Sequence, residues 1–120
     1  MPGSAEAEKS VPCVVAFVTC ANGKSREIAR TLVEEKLVAC VNIIPTVTSI
    51  YFWDNAVQED SEELMVLKTT ADAWHKLQAR IKSLHPYDLP EMIYFPIQGG
   101  YEPYLNWLRS SITGRETVGG

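Results

Sequence analysis

Several features are scarce in these 120 residues, and each scarcity removes a class of function. No apolar run approaches the roughly 18 residues that a membrane-crossing helix needs, and Met1 to Ser10 lack the apolar stretch of a secretory signal. Direct membrane insertion is not expected. Positive charge is short as well: 11 Lys and Arg stand against 15 Asp and Glu, and a net charge of −4 gives no electrostatic case for holding nucleic acid. The cysteines, Cys13, Cys20 and Cys40, are odd in number, with no C-x-x-C pair and no cysteine and histidine blocks at zinc-finger spacing. That argues for reduced thiols and a cytoplasmic setting, with an organelle form whose leader has been removed left open. Missing too are G-x-S-x-G, H-E-x-x-H and a phosphate-cradling glycine loop, and Gly99-Gly100 stands alone. The expectation is a protein that is not an enzyme.

What remains is enough for one core. The apolar share is 46%, and the pattern places one domain at 11–112 between polar tails at 1–10 and 113–120. Val14-Val15-Ala16-Phe17-Val18 reads as a buried strand ending near Cys20. Asn22-Gly23 signals a turn, with Asn22 or Ser25 to cap a helix carrying Ile28, Ala29, Leu32 and Val33 on one face. Val38 to Trp53 is a long β-branched stretch interrupted by Pro45, which has no N–H and so requires a bulge or a sheet edge. Asp54-Asn55 suits a turn with positive φ, and the return strand passes Leu64 to Leu67. Trp74, Leu77, Ile81 and Leu84 form the stripe of a second helix, capped by Thr70 or Asp72 and ended by His85-Pro86. Met92 to Ile97 is a fourth strand, and Tyr104, Leu105, Trp107, Leu108 and Ile112 a short closing helix.

The order β-α-β-β-α-β plus a terminal helix predicts an α+β domain of the ferredoxin-like kind. Two helices cover one sheet face. Ile43, Ile50, Phe52, Leu64 and Val66 supply apolar groups for both faces, so an oligomer is expected to bury the rest.

Five ordered motifs carry a resemblance that spans about Val11 to Leu108: Ala39-Cys40-Val41-Asn42-Ile43-Ile44-Pro45; Thr48-Ser49-Ile50-Tyr51 with Trp53; Glu62 then Leu67-Lys68-Thr69; His85-Pro86-Tyr87 with Pro90-Glu91; and Tyr104-Leu105 with Trp107. In these the chain resembles the CutA divalent-cation-tolerance family. Two departures are visible: Asn55 stands where the family usually has glycine, and Ala21 where proline often follows. The resemblance implies a homotrimer in which long hairpins of neighbouring subunits pair, similar to PII-type signalling proteins. It also implies metal binding, copper above all, and a cleft between subunits for small ligands. For animal members it implies a protein partner, acetylcholinesterase, whose anchoring and processing the family is linked to.

Each candidate side chain has two readings. His85 is either a metal ligand or a helix-ending residue whose charge suits the C-terminal dipole. Cys40 and Glu62 match positions that the resemblance links to copper; otherwise Cys40 is a packed core thiol and Glu62 a solvated strand-end acid. Lys68 is either a solvent-facing lysine or an anion contact in an intersubunit cleft, and Glu91 either pairs with Lys68 or caps a turn. Tyr51 and Trp53 are expected to be hairpin or interface aromatics, and Trp74 to lie in the core. Glu62 and Glu63 leave a paired-carboxylate mechanism open, although strand neighbours point to opposite faces.

Overall fold

A computed structural model describes residues 11–113. Four strands and three helices follow in order: β1 (Cys13–Ala21), α1 (Ser25–Glu34), β2 (Cys40–Trp53), β3 (Ala56–Thr70), α2 (Trp74–Leu84, after a 3-10 turn at Ala71–Ala73), β4 (Met92–Pro96) and α3 (Glu102–Ser110). All strand pairs are antiparallel, in the order β2-β3-β1-β4. The expected tails lie outside the described residues except for Thr113, whose N–H donates to the Lys36 carbonyl.

One sheet face carries α1 and α2. Alternation places Ala16, Val18 and Cys20 of β1 and Met65 and Leu67 of β3 on that side, where they meet Ile28, Leu32, Leu77 and Ile81. Trp74 packs at the margin of this core rather than inside it, its ring 4.6 Å from that of Tyr94. The helix ends depart from the sequence expectation. Neither Asn22 nor Ser25 caps α1; Ser25 is the first helical residue, and its N–H is taken by Glu63 Oε1 at 3.1 Å. A carboxylate 38 positions away thus does the capping, which no local pattern announces. Thr70 donates to Asp72 at 2.6 Å ahead of the 3-10 turn, and α2 itself has no side-chain cap.

Pro45 is accommodated in both of the ways open to it. β2 is an edge strand, and the register jumps between Ile44↔Leu64 and Val47↔Glu62, two residues of β2 facing one of β3. The bulge also switches which β2 residues share a face. Before it, the even-numbered Cys40, Asn42 and Ile44 sit opposite Lys68, Val66 and Leu64; after it, the odd-numbered Val47 and Ser49 sit opposite Glu62 and Asp60.

β1 pairs with β3 only from Glu62 to Thr70. The remainder of the β2–β3 hairpin, out to a two-residue turn at Asp54 and Asn55 with φ of 55° and 60°, therefore runs on as a two-stranded arm. The molecule extends 57 × 30 × 25 Å as a result. One side of the arm shows Ile50, Phe52 and Val57, 65%, 69% and 71% exposed. The sheet face opposite α1 and α2 is covered at one end only. There Leu105 and Leu108 of α3 pack on Cys13, Ala39 and Ile97, while Ile44, Ile93 and Phe95 stay exposed.

Asn55 occupies the left-handed region that its expected glycine would take. Asn55→Gly is expected to leave stability unchanged or raise it, whereas Asn55→Val should lower it by about 1–2 kcal/mol. Urea unfolding of the two variants checks this.

Candidate functional site

At the root of the arm, on the face opposite α1 and α2, a cavity of about 740 Å³ opens between the hairpin and the loop joining α2 to β4. Its hairpin wall is built by the register: Ser49, Tyr51 and Trp53 of β2 and Asp60 and Glu62 of β3 share one side of the arm. The opposite wall is Tyr87, Asp88, Leu89 and Glu91, and Thr19 of β1 forms part of the lining. This loop is held down through His85. The proline at 86 ends α2 at Leu84 and leaves His85 extended at φ −80°, ψ 137°. Its ring then turns inward, Nε2 lying 2.7 Å from the Thr19 carbonyl while Nδ1 accepts the Tyr87 N–H at 3.1 Å. Nδ1 as acceptor requires Nε2–H as donor, the neutral tautomer.

That turn delivers the Tyr87 hydroxyl to Glu62 Oε2, 2.8 Å away. Burial, reinforced by the Glu62 carboxylate, pushes the Tyr87 hydroxyl well above the usual tyrosine range. On the arm, Tyr51 donates to Asp60, and this bond raises the Tyr51 hydroxyl too. Glu63 faces the other way, toward α1. Burial alone would raise its carboxyl, but hydrogen bonds from Ser25 and Gly23 with the charge of Arg26 hold it below the ordinary value.

The structure brings Glu62, Glu91 and, through Tyr87, His85 to this end of the sheet. It does not bring Cys40 there. Cys40 is paired with Lys68, six residues from Glu62 along β3, which is about 20 Å. Around Cys40 lie Asn42, whose Oδ1 it reaches at 3.9 Å, and Tyr104, whose hydroxyl is pushed up by burial and by the neighbouring thiol. His85, moreover, has both ring nitrogens engaged within the chain. Among the described residues no three His, Cys, Asp or Glu side chains gather to hold an ion. His85, Cys40 and Glu62 of one chain do not fit a single metal centre.

The expected pairing of Lys68 with Glu91 is also absent. Lys68 lies level with Phe95 across β1, four residues and about 13 Å along β4 from Glu91, and donates instead to Asn42 Oδ1. Residues that sequence reasoning left without a role also line this cavity: Tyr87, Asp60, Asp88 and Thr19. Tyr87 was within reach, because a residue two places after a helix-ending histidine and next to proline is held in a defined position. Thr19 was not, since its contribution is a main-chain carbonyl.

Replacing Tyr87 by Phe should cost about 1–3 kcal/mol, by leaving the buried Glu62 oxygen without its donor. The alkaline side supplies a second readout. The unfolded chain releases this proton near the ordinary value of 10.0 while the folded chain keeps it, so stability falls as pH rises above about 10. Denaturation midpoints across that range should fall less steeply for Tyr87→Phe.

Comparison with known proteins accords with this architecture. The family described as CutA1 divalent ion tolerance protein matches residues 13–111. A divalent-cation tolerance protein CutA from Thermus thermophilus is 53% identical over 72% of this chain and 84% of its own length. Human protein CutA is 46% identical over 91% of this chain, and the chloroplastic CutA of Arabidopsis thaliana 44% over 88%. The chain spans only 57% and 59% of those two relatives. The crystal structure of CutA1 from Oryza sativa superposes with a TM-score of 0.86 at 42% identity, covering 91% of this chain and 99% of that one. No helix among the described residues is long and apolar enough to cross a membrane. With one family covering nearly all the described residues and solved members sharing the same sheet and helices, the chain belongs to the CutA1 divalent ion tolerance family.

Proposed function

We propose that the chain is a ferredoxin-like subunit of a homotrimer that binds divalent metal, copper foremost, in tolerance of or response to metal ions, and that it catalyses no reaction. The strand order β2-β3-β1-β4 supports the ferredoxin-like description. The observation that carries the oligomer is the arm: an isolated two-stranded hairpin is marginally stable in water, yet this one extends past its sheet with Ile50, Phe52 and Val57 bare. Partner subunits covering the arm and the half-covered sheet face remove both liabilities. The family and its Thermus thermophilus member are named for divalent-cation tolerance rather than for a reaction.

Copper is favoured by the soft, partly exposed Cys40 thiol, with Glu62 and His85 as further donors. His85 must give up one of its two ring bonds to ligate, and a centre using both Cys40 and Glu62 takes them from different subunits. Lys68 and Glu91 are proposed as contacts for small ligands, Lys68 for an anion near Asn42 and Glu91 in the cavity. The setting proposed is cytoplasmic. Chloroplastic relatives in Arabidopsis and rice keep an organelle form with a removed leader in view.

A second reading is favoured by the cavity: a signalling or anchoring scaffold whose PII-like clefts take a small ligand, or whose surface takes a protein partner such as acetylcholinesterase.

Sedimentation at micromolar concentration is expected to give the mass of three subunits; a stable, folded single subunit overturns the reading. In copper titrations Cys40→Ser, Glu62→Gln and His85→Ala should each weaken binding, and equal affinity in all three removes the ligand assignment while leaving the trimer untouched.

A further inference from the structure

The link between β1 and α1, residues 22–24, carries a reactive dipeptide. Of the four asparagines, Asn22 alone precedes glycine; Asn42, Asn55 and Asn106 are followed by Ile43, Ala56 and Trp107. The distinction is chemical. An asparagine carboxamide is open to attack at Cγ by the main-chain nitrogen of the next residue. A side chain on that residue obstructs the approach, and glycine has none. Gly23 sits at φ 85° in a turn closed by the Lys24 N–H on the Ala21 carbonyl at 3.1 Å, the position where a type II turn requires glycine.

Hydrogen bonds restrain both reacting groups. Asn22 Nδ2 donates to Ser61 Oγ at 3.3 Å. The Gly23 N–H donates to the Glu63 carboxylate, which also takes the Ser25 N–H at 3.1 Å. Attack requires the Gly23 nitrogen to lose its proton, and a negative charge beside it disfavours that loss. All of these bonds form within one chain. They therefore hold in a lone subunit and equally in an assembly that covers the arm and the sheet face opposite α1 and α2.

From this we infer that Asn22 is a site of spontaneous covalent self-modification, converted through a cyclic imide with Gly23 to aspartate and isoaspartate at a rate that Ser61 and Glu63 restrain. The Gly23 nitrogen gives its proton to solvent base and bonds to Asn22 Cγ; the Cγ–Nδ2 bond breaks, and Nδ2 leaves as ammonia. Water then adds to either carbonyl of the imide and opens it to aspartate or isoaspartate. No oxidant, reductant or enzyme is consumed. Either product puts a new carboxylate in the link that Glu63 serves, and isoaspartate also lengthens the main chain there. The Lys24 to Ala21 turn bond and the Glu63 cap on α1 are thereby weakened, so converted copies accumulate with age and are less stable. The inference rests on neither copper binding nor the trimer.

Incubation of the purified full chain at mildly alkaline pH, native and in guanidinium, tests it, with digests read by mass spectrometry and by isoaspartate-specific enzymatic methylation. Native wild type should gain isoaspartate at position 22 ahead of every other asparagine, at least about tenfold more slowly than the unfolded chain, because the link must first open. Ser61→Ala frees the Asn22 amide from one neutral hydrogen bond and should speed the native reaction about fivefold. Ser61→Thr keeps the hydroxyl and should leave the rate unchanged. Asn22→Gln, whose longer side chain closes a less favourable ring, should abolish it. Absence of isoaspartate at Asn22 after about a hundred half-lives of the unfolded chain overturns the proposal. Faster conversion of another asparagine does so too, as does an unchanged rate in Ser61→Ala.

Discussion

Unequal strand length governs this molecule. β2 and β3 run for 14 and 15 residues, while β1 has nine and β4 five. A sheet whose edge hairpin outruns its neighbours leaves backbone and side chains of the overhang without cover, since two strands alone cannot bury what they carry. The cavity at the arm's root, the exposed Ile50, Phe52 and Val57, and the case for partner subunits all descend from that mismatch.

The bulge at Pro45 sets what the overhang displays. Had the alternation of β2 continued unbroken, Ile50 and Phe52 would share a face with Glu62, and the hairpin wall of the cavity would be apolar. With the extra residue, Ser49, Tyr51 and Trp53 fall on that side instead, and polar and aromatic groups surround the buried carboxylate. A residue that cannot donate a ladder hydrogen bond thereby decides the chemistry of a wall several positions further along the strand.

The other wall depends on a histidine acting through hydrogen bonds. His85 spends both ring nitrogens on main-chain groups, one in β1 and one in its own loop, and in doing so carries Tyr87 over the end of the sheet to Glu62. The α1 end works by similar means, with Glu63 reaching from β3 to the first N–H of the helix. Glu62 and Glu63, adjacent in the chain, thus serve opposite faces, as strand alternation requires. Arg80 and Glu35, both well exposed, join α2 to α1 by a bidentate pair that contributes little beside the core contacts of Leu32, Leu77 and Ile81.

Element types and their order were legible in the sequence, because hydrophobic periodicity, Asp54-Asn55, Pro45 and His85-Pro86 are local signals that local sterics enforce. Which side chains act together was not. Helix capping by Glu63, the partnership of Lys68 with Asn42 rather than Glu91, and the separation of Cys40 from Glu62 and His85 all follow from strand register, which pairs residues far apart in the chain. Strands, helices and turns are written in the chain's local pattern, since each is a property of a short stretch of backbone and its alternation of apolar groups. Where the carboxylates, rings and thiols meet is settled by the packed fold, because it depends on how far each strand slides against its neighbour before the core closes.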